Sequence, residues 1–251
     1  MGGEAVKREE PEDGRVVYRL RGVVKTRAKG GSSFELRVPG LDIYSGEFVA
    51  IVGASGCGKS TLLDMLGLVM SPTQCREFSL RVDGASHQLM DLSESALARL
   101  RRVHLGYVLQ TGGLLPFLTV YKNVHLPCRL NAHRGGRGQV EALLDSLKIK
   151  DQAHKKPQHL SGGQRQRAAI ARALAHRPPV VLADEPTAAV DKFTAKEICD
   201  QFKTLTAELG TTLVMVTHDE DLVRGKADRI FTFNMDPPVD NHTRSTLWEK
   251  T

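Results

Sequence analysis

The sequence predicts an α/β fold built around a parallel sheet, and three observations carry that reading. A glycine-rich loop, Gly53-Ala54-Ser55-Gly56-Cys57-Gly58-Lys59-Ser60-Thr61, separates a short apolar run of β type, Phe48 to Val52, from a segment beginning Leu62-Leu63-Asp64-Met65-Leu66 that continues as a helix. Two further apolar runs, Val180 to Ala183 and Leu213 to Val216, are continuous rather than alternating, as strands covered on both faces are, and a helical stretch from Phe193 to Leu209 lies between them. Each ends in polar residues, Asp184-Glu185-Pro186 and Thr217-His218-Asp219, and ligands gather at the carboxyl ends of such strands.

The remaining elements follow in chain order. Met1 to Arg15 is charged, carries Pro11 and Gly14, and is expected to be a disordered lead; Val6 stands where a myristoylation signal wants Ser or Thr. Val16 to Val23 and Phe34 to Val38 alternate imperfectly, as half-buried antiparallel strands do, with Lys29 to Ser33 as the turn between them. After the first helix Pro72 breaks the pattern, and Phe78 to Val82 followed by Asp83-Gly84 reads as a strand and turn. Ser93 is placed to cap a helix running to Arg102, and Val103 to Leu109 returns to strand character before Gln110. Thr111 to Pro127 is irregular and holds an apolar patch of Leu114, Leu115, Phe117 and Leu118, whose simplest explanation is packing. Gln139 to Leu147 is helical, so residues 111–160 are expected to form a small helical subdomain inserted into the α/β core. The tail from Asn234, with Pro237-Pro238 and the lone Trp248, reads as a docking strap or a loose end, and a surface-bound extension is expected.

Composition narrows the function classes. A net charge of +6 over 251 residues permits an anionic partner without requiring one, and the basic residues form no long block. His133, Arg134 and Arg137 among glycines suggest a mobile basic loop rather than a nucleic-acid surface. Cys57, Cys75, Cys128 and Cys199 are far apart, make no paired metal or redox motif, and fit a reducing cytosolic setting. No apolar run approaches the roughly 18 residues of a membrane-spanning helix.

The glycine loop has the chemistry of a phosphate cradle. Its glycines let successive N–H groups, including those of Gly56, Cys57 and Gly58, turn into one concavity, reinforced by the positive end of the next helix. In such a P-loop Gly53 and Ser55 belong to the cradle, Lys59 reaches the β- and γ-phosphates, Ser60 ligates Mg²⁺ and Thr61 sits by the α-phosphate. The same N–H field is expected to favour a thiolate at Cys57 and make it alkylatable. A second phosphate-type helix start follows: Leu160-Ser161-Gly162-Gly163-Gln164-Arg165-Gln166-Arg167 places a capping serine and bare glycines before a breaker-free helix that Pro178-Pro179 stops.

On these residues the chain resembles the ABC-type ATPases, the ATP-binding subunits of the ATP-binding-cassette class, over about residues 16–233. Gln110 matches the Q-loop, Leu160 to Gln164 the signature, Asp184 and Glu185 the Walker B and catalytic carboxylates, Asp191 the D-loop, and His218 the switch histidine. Leu105 to Gln110, Leu114-Leu115-Pro116 and Leu92 to Arg102 are similar to the bacterial subgroup that serves lipoprotein release, macrolide export and cell division (LolD, MacB and FtsE types). The resemblance implies a P-loop NTPase core with an antiparallel β subdomain and an inserted helical subdomain. It also implies a homodimer sandwiching two Mg-ATP, each held by the P-loop of one copy and by Ser161, Gly163 and Gln164 of the other, with Asp191 of the D-loop also among the nucleotide-binding residues. Asp184 would hold Mg²⁺ mainly through water, Glu185 would act on the attacking water, His218 would meet the γ-phosphate, and Gln110 would couple the metal to the helical subdomain.

Two departures from the family pattern stand out. Arg27 occupies the place where an aromatic residue usually stacks on adenine, leaving the guanidinium, Tyr18 or Phe34 as the platform. The D-loop reads Ala188-Ala189-Val190-Asp191, slightly off the usual ending. The first function expected is a cytoplasmic motor, peripheral on the inner face of a membrane, whose helical subdomains grip separate transmembrane permease-type subunits through Leu114 to Leu118, with no nucleic-acid partner. The alternative is a soluble ABC-class ATPase acting on nucleic acid or ribosomes, against which stand the lack of a long heptad insertion and of a second cassette.

Overall fold

The computed structural model describes residues 15–131 and 136–250. The expected N-terminal lead before Arg15, and His133 and Arg134 of the basic loop, lie outside the described residues.

One ten-stranded sheet runs through the described residues. Its antiparallel wing comprises β1 (Val16–Lys29), β2 (Ser32–Tyr44), β4 (Glu77–Val82) and β5 (Ala85–Gln88), and its parallel part comprises β3 (Phe48–Val52), β6 (Leu105–Val108), β7 (Val180–Asp184), β8 (Thr212–Thr217) and the start of β9 (Arg229–Met235). With β10 (His242–Glu249) the order is β5-β4-β1-β2-β10-β9-β3-β8-β7-β6. The continuous apolar runs are the central parallel strands, and alternate side chains serve opposite faces. Ala50, Val181, Ala183, Leu213 and Met215 belong to one core, while Val49, Ile51, Val180, Leu182, Val214 and Val216 belong to the other.

Helices close both faces. α1 (Lys59–Leu66) and α2 (Glu94–His104) cover the second core with Leu62, Leu63, Leu97 and Leu100. On the first lie α3 (Val120–Leu130), α4 (Arg137–Ser146), α5 (Gly162–Leu174) and α6 (Lys192–Glu208); a short α7 (Glu220–Val223) follows β8. Val120, Val124, Leu143 and Leu144 of α3 and α4 share this core with Ala168 to Leu174 of α5 and with the sheet. The segment 111–160 therefore packs on the signature helix rather than on a core of its own.

The structure corrects several boundaries. The short N-terminal strands are parts of longer ones, because the polar flanks Lys25 to Ala28 and Ser32-Ser33 lie on exposed stretches where pairing needs no apolar residue. α3 is a helix where irregular chain is expected: Thr119 caps it by accepting from Lys122 N, and Pro127 falls in its last turn, where its carbonyl still accepts from Asn131 N at 3.1 Å. The tail is no surface extension. β10 lies inside the sheet, parallel to β2 and antiparallel to β9, with Ser245 and Leu247 buried. Its polar sequence carries too weak an alternation to announce a strand, and pairing on both edges supplies what side chains do not. Asp240 and Asn241, with φ of 49° and 60°, form the two-residue turn that reverses the chain into it, and Val239 and His242 exchange N–H···O bonds of 3.0 and 2.8 Å across that turn.

Candidate active site

Register brings the predicted groups to one edge. Val52 pairs with Thr217 across β3 and β8, and Asp184 pairs with Val216 across β7 and β8, so the residues that follow these strands emerge side by side. Between β3 and α1 the loop turns through Gly56 (φ 83°) and Gly58 (φ 108°), conformations that side chains avoid. Gly58 is also the N-cap of α1 and provides no side-chain cap, which leaves the first N–H groups of that helix open to the cleft. A Cβ at Gly58 would come within 3.3 Å of the Phe34 ring.

The charged groups of the cleft contact one another directly. Lys59, 6% exposed, donates from Nζ to the carbonyls of Gly53 (2.8 Å) and Ala54 (2.9 Å) and stands 3.6 Å from Glu185 Oε1. The other Glu185 oxygen lies 3.0 Å from His218 Nδ1. Glu185 adopts a left-handed backbone, φ 42°, with its N–H bonded to Val216 O at 3.0 Å, so β8 holds the carboxylate in a conformation that costs energy for a non-glycine residue. Ser60 Oγ donates to Asp184 Oδ1 at 3.4 Å. Burial pushes the Asp184 carboxyl above its usual range, and the Ser60 bond pulls the other way.

Lys59, Ser60, Glu185 and His218, with Ser55, Thr61, Gln110, Arg27 and Phe34, line one cleft of about 500 Å³, and Asp184 stands behind Ser60 at its edge. Of the three platforms considered for the base, Tyr18 is excluded: it is fully buried and its hydroxyl donates to Leu66 O at 2.6 Å. The expected thiolate at Cys57 is overturned. Its side chain is 2% exposed and packs beneath Gly53, and burial pushes the thiol up more than nearby Lys59 draws it down. Cys57 contributes backbone instead, its carbonyl accepting from Ser245 Oγ at 2.6 Å.

The remaining predicted residues stand elsewhere. Ser161 caps α5 in a full capping box: its Oγ accepts from Gln164 N, and Gln164 Oε1 accepts from Ser161 N. Asp191 caps α6, accepting from Phe193 N, Thr194 N and Thr194 Oγ1, bonds that hold its carboxyl below the usual range. The two helix starts touch, since a Cβ at Gly162 would lie 2.9 Å from Ala189 O and one at Gly163 3.1 Å from Thr194 Cγ2. Ser161, Gly163, Gln164 and Asp191 are not part of the P-loop cleft.

Sequence reasoning missed three residues that position these parts. Fully buried Asn123 accepts from Leu115 N at 2.7 Å and donates to the carbonyls of Leu115, Leu118 and Thr119, shaping the loop that carries the apolar patch. Arg172 of α5 donates to Gly113 O (2.6 Å) and Gly112 O (3.0 Å), tying the signature helix to the chain just after Gln110. Ser245 supports the P-loop. A polar residue inside an apolar helical stripe is the signal that would have marked Asn123; nothing local marks the other two.

The oxygen set suits magnesium. Ser60 and Gln110 line the cleft with hard oxygen donors and Asp184 is hydrogen-bonded to Ser60, and no group of three or more His, Cys, Asp or Glu side chains able to hold a metal occurs among the described residues. An ion taking most of its ligands from phosphate and water needs no such group.

A P-loop helix, a carboxylate pair at the end of β7, one strand removed from the P-loop strand β3, and a separate glycine-started helix define a nucleotide-hydrolysing cassette, and comparison with known proteins agrees. Residues 36–188 match the family model described as ABC transporter. The chain is 41% identical to the lipoprotein-releasing system ATP-binding protein LolD of Xanthomonas euvesicatoria pv. vesicatoria, over 89% of this chain and 91% of that protein. It is also 41% identical to the macrolide export ATP-binding/permease protein MacB of Pasteurella multocida, over 85% of this chain and 32% of that longer protein. A dimeric structure of the ATP-binding cassette MJ0796 of Methanocaldococcus jannaschii, in a post-hydrolysis state bound to ADP and Pi, superposes with a TM-score of 0.74 at 37% identity, covering 91% of this chain and 97% of that one. The chain belongs to the ABC transporter ATP-binding family and is an ATPase of that family.

Proposed function

We propose that two copies of this chain close around two Mg-ATP and that the cycle of closure and hydrolysis drives a membrane transport complex. The observation that carries this reading is the division of the site: the cleft gathers Lys59, Ser60, Glu185 and His218, while the second phosphate-type helix start, at Ser161, lies outside it. A second copy supplies what one copy lacks, and the dimeric MJ0796 cassette shows a relative arranged as a dimer.

Within each cleft the backbone N–H groups of Ser55 to Thr61 and the open start of α1 bind phosphate oxygens, and Lys59 neutralises their charge. Ser60, Gln110 and Asp184 would hold Mg²⁺, which when bound would supply positive charge against the phosphate oxygens. Glu185 takes the proton of the attacking water, and His218, hydrogen-bonded to it, orients the carboxylate and faces the γ-phosphate. Gln110 passes the state of the site through Gly112, Gly113 and Arg172 to α5, and so to the loop that Asn123 shapes. On that loop Phe117 is 69% exposed, and with Leu115 it forms the grip for helices of a separate transmembrane subunit. No helix among the described residues is long and apolar enough to cross a membrane.

The test is isolation of a tagged Glu185→Gln variant, with ATP, from detergent-solubilised native cells. An integral membrane protein should co-isolate with a dimer and be lost when Leu115→Asp and Phe117→Asp are added. Recovery with nucleic acid or ribosomes alone would overturn the membrane reading.

A further inference from the structure

Asp64 follows Ser60 by one turn of α1, so the two share a face of that helix. Opposite that face, Tyr107 of β6 pairs with Leu182 of β7 on the side of the sheet that α1 covers, and Asp184 stands on the same side of β7 two residues further along. The Tyr107 hydroxyl donates to Asp64 Oδ1 at 3.4 Å, the same length as the bond from Ser60 to Asp184. Gly67 leaves room for the Tyr107 ring, since a Cβ there would come within 2.9 Å of it. The backbone of Asp64 is fixed as well: its carbonyl accepts from Val69 N at 2.9 Å and from Met70 N at 3.2 Å.

We infer that Asp64, oriented by Tyr107, is a further positioning residue for magnesium: its carboxylate accepts from a water of the ion that Ser60 and Asp184 would hold. The inference rests on the Mg-ATP reading above and adds an acidic group that lies outside the P-loop pattern. Four features support it. A carboxylate in the last turn of a helix opposes the helix dipole, and α1 carries no basic residue there to offset it. Among the described residues no cationic side chain lies within ion-pair distance of Asp64, and its side-chain hydrogen bond comes from a neutral hydroxyl, so these residues leave its charge uncompensated. Burial, and then the charges of Asp64 and Asp184, push the Tyr107 hydroxyl above its ordinary range, so Tyr107 keeps the proton that it donates. Magnesium retains several of its waters, and a carboxylate one helical turn from Ser60 is placed to meet the ion through one of them rather than directly.

Calorimetric titration of the full chain with the β,γ-imido analogue of ATP, once with Mg²⁺ and once with EDTA, tests the inference without recourse to turnover. Asp64→Asn keeps the shape of the side chain and removes its charge. The analogue should then bind about fivefold more weakly with Mg²⁺ but as well or better with EDTA, because the lost carboxylate attracts the cation and repels the phosphates. Equal weakening in both titrations would mark a structural role alone and would overturn the inference, as would unchanged affinity with Mg²⁺; either result leaves the Mg-ATP reading intact. Tyr107→Phe should weaken the Mg²⁺ titration about twofold in the wild-type chain and have no effect in the Asp64→Asn chain. An equal loss in both chains would overturn the orienting role of Tyr107. A wild type that binds the analogue equally with Mg²⁺ and with EDTA would overturn the Mg-ATP reading and the inference together.

Discussion

Glu185 is held by three contacts with different consequences: His218 fixes one carboxylate oxygen, Lys59 faces the other, and the bond from its N–H to β8 keeps its backbone left-handed. Replacing Glu185 by Gln preserves shape and removes the base, so ATP hydrolysis should fall by at least about 100-fold while ATP still binds, as phosphate release and equilibrium binding would report. Near-wild-type turnover in that variant would place the base elsewhere. Cys57 gives a prediction with a definite sign. A thiol pushed up by burial is less ionised at neutral pH than a free one, so alkylation of Cys57 at pH 7 should be slower than that of a free cysteine peptide. The rate should climb only as pH passes above the ordinary thiol range; fast labelling at pH 7 would show an open, activated sulfur. That the glycine loop, Glu185 and His218 gather at one cleft was legible in the sequence, because a glycine-rich turn and polar ends of apolar strands are local patterns. The environment of each was not: the N–H field argued for a thiolate at Cys57, and burial, which depends on what packs above it, reversed the sign.

At the level of elements, β10 shows how a weakly patterned segment becomes structural. Its neighbours β2 and β9 offer unpaired edges, and a strand placed between them joins the antiparallel wing to the parallel core while its Ser245 steadies the P-loop. Leu247 is 3% exposed, and Leu247→Ala should cost roughly 2–5 kcal/mol in denaturant unfolding; a loss under about 0.5 kcal/mol would mean that the strand is dispensable. Gly106 in β6 is the corresponding case for close approach. A Cβ there would overlap the Ala173 carbonyl of α5, so Gly106→Ala should destabilise by about 1–3 kcal/mol or more, visible as a lower melting temperature. The parallel strands were legible because burial on both faces demands uninterrupted apolar residues. α3 and β10 were not, since a proline in one and polar residues in the other outweigh the local signal, and packing supplied the difference.

For the whole molecule, the faces left open matter most. Phe193, in the first turn of α6 beside the capping Asp191, is 79% exposed, and Thr194 next to it lies against the signature residue Gly163. If a second copy covers this corner, Phe193→Asp should abolish the ATP-dependent dimer of the Glu185→Gln chain in sedimentation, leaving ATP binding by the monomer intact; persistence of the dimer would place the interface elsewhere. The sequence by itself determined the class of chemistry, the parallel core and the two phosphate-type helix starts, because these depend on residue types within a few positions of one another. Only the tertiary structure decided that Glu185, His218 and Lys59 meet while Ser161 stands apart, that Tyr18 is core while Arg27 and Phe34 face the cleft, and that the C-terminal tail is a strand inside the sheet. Each of these depends on register and pairing between segments distant in the chain, and those are set by the summed burial of the two cores rather than by any local pattern.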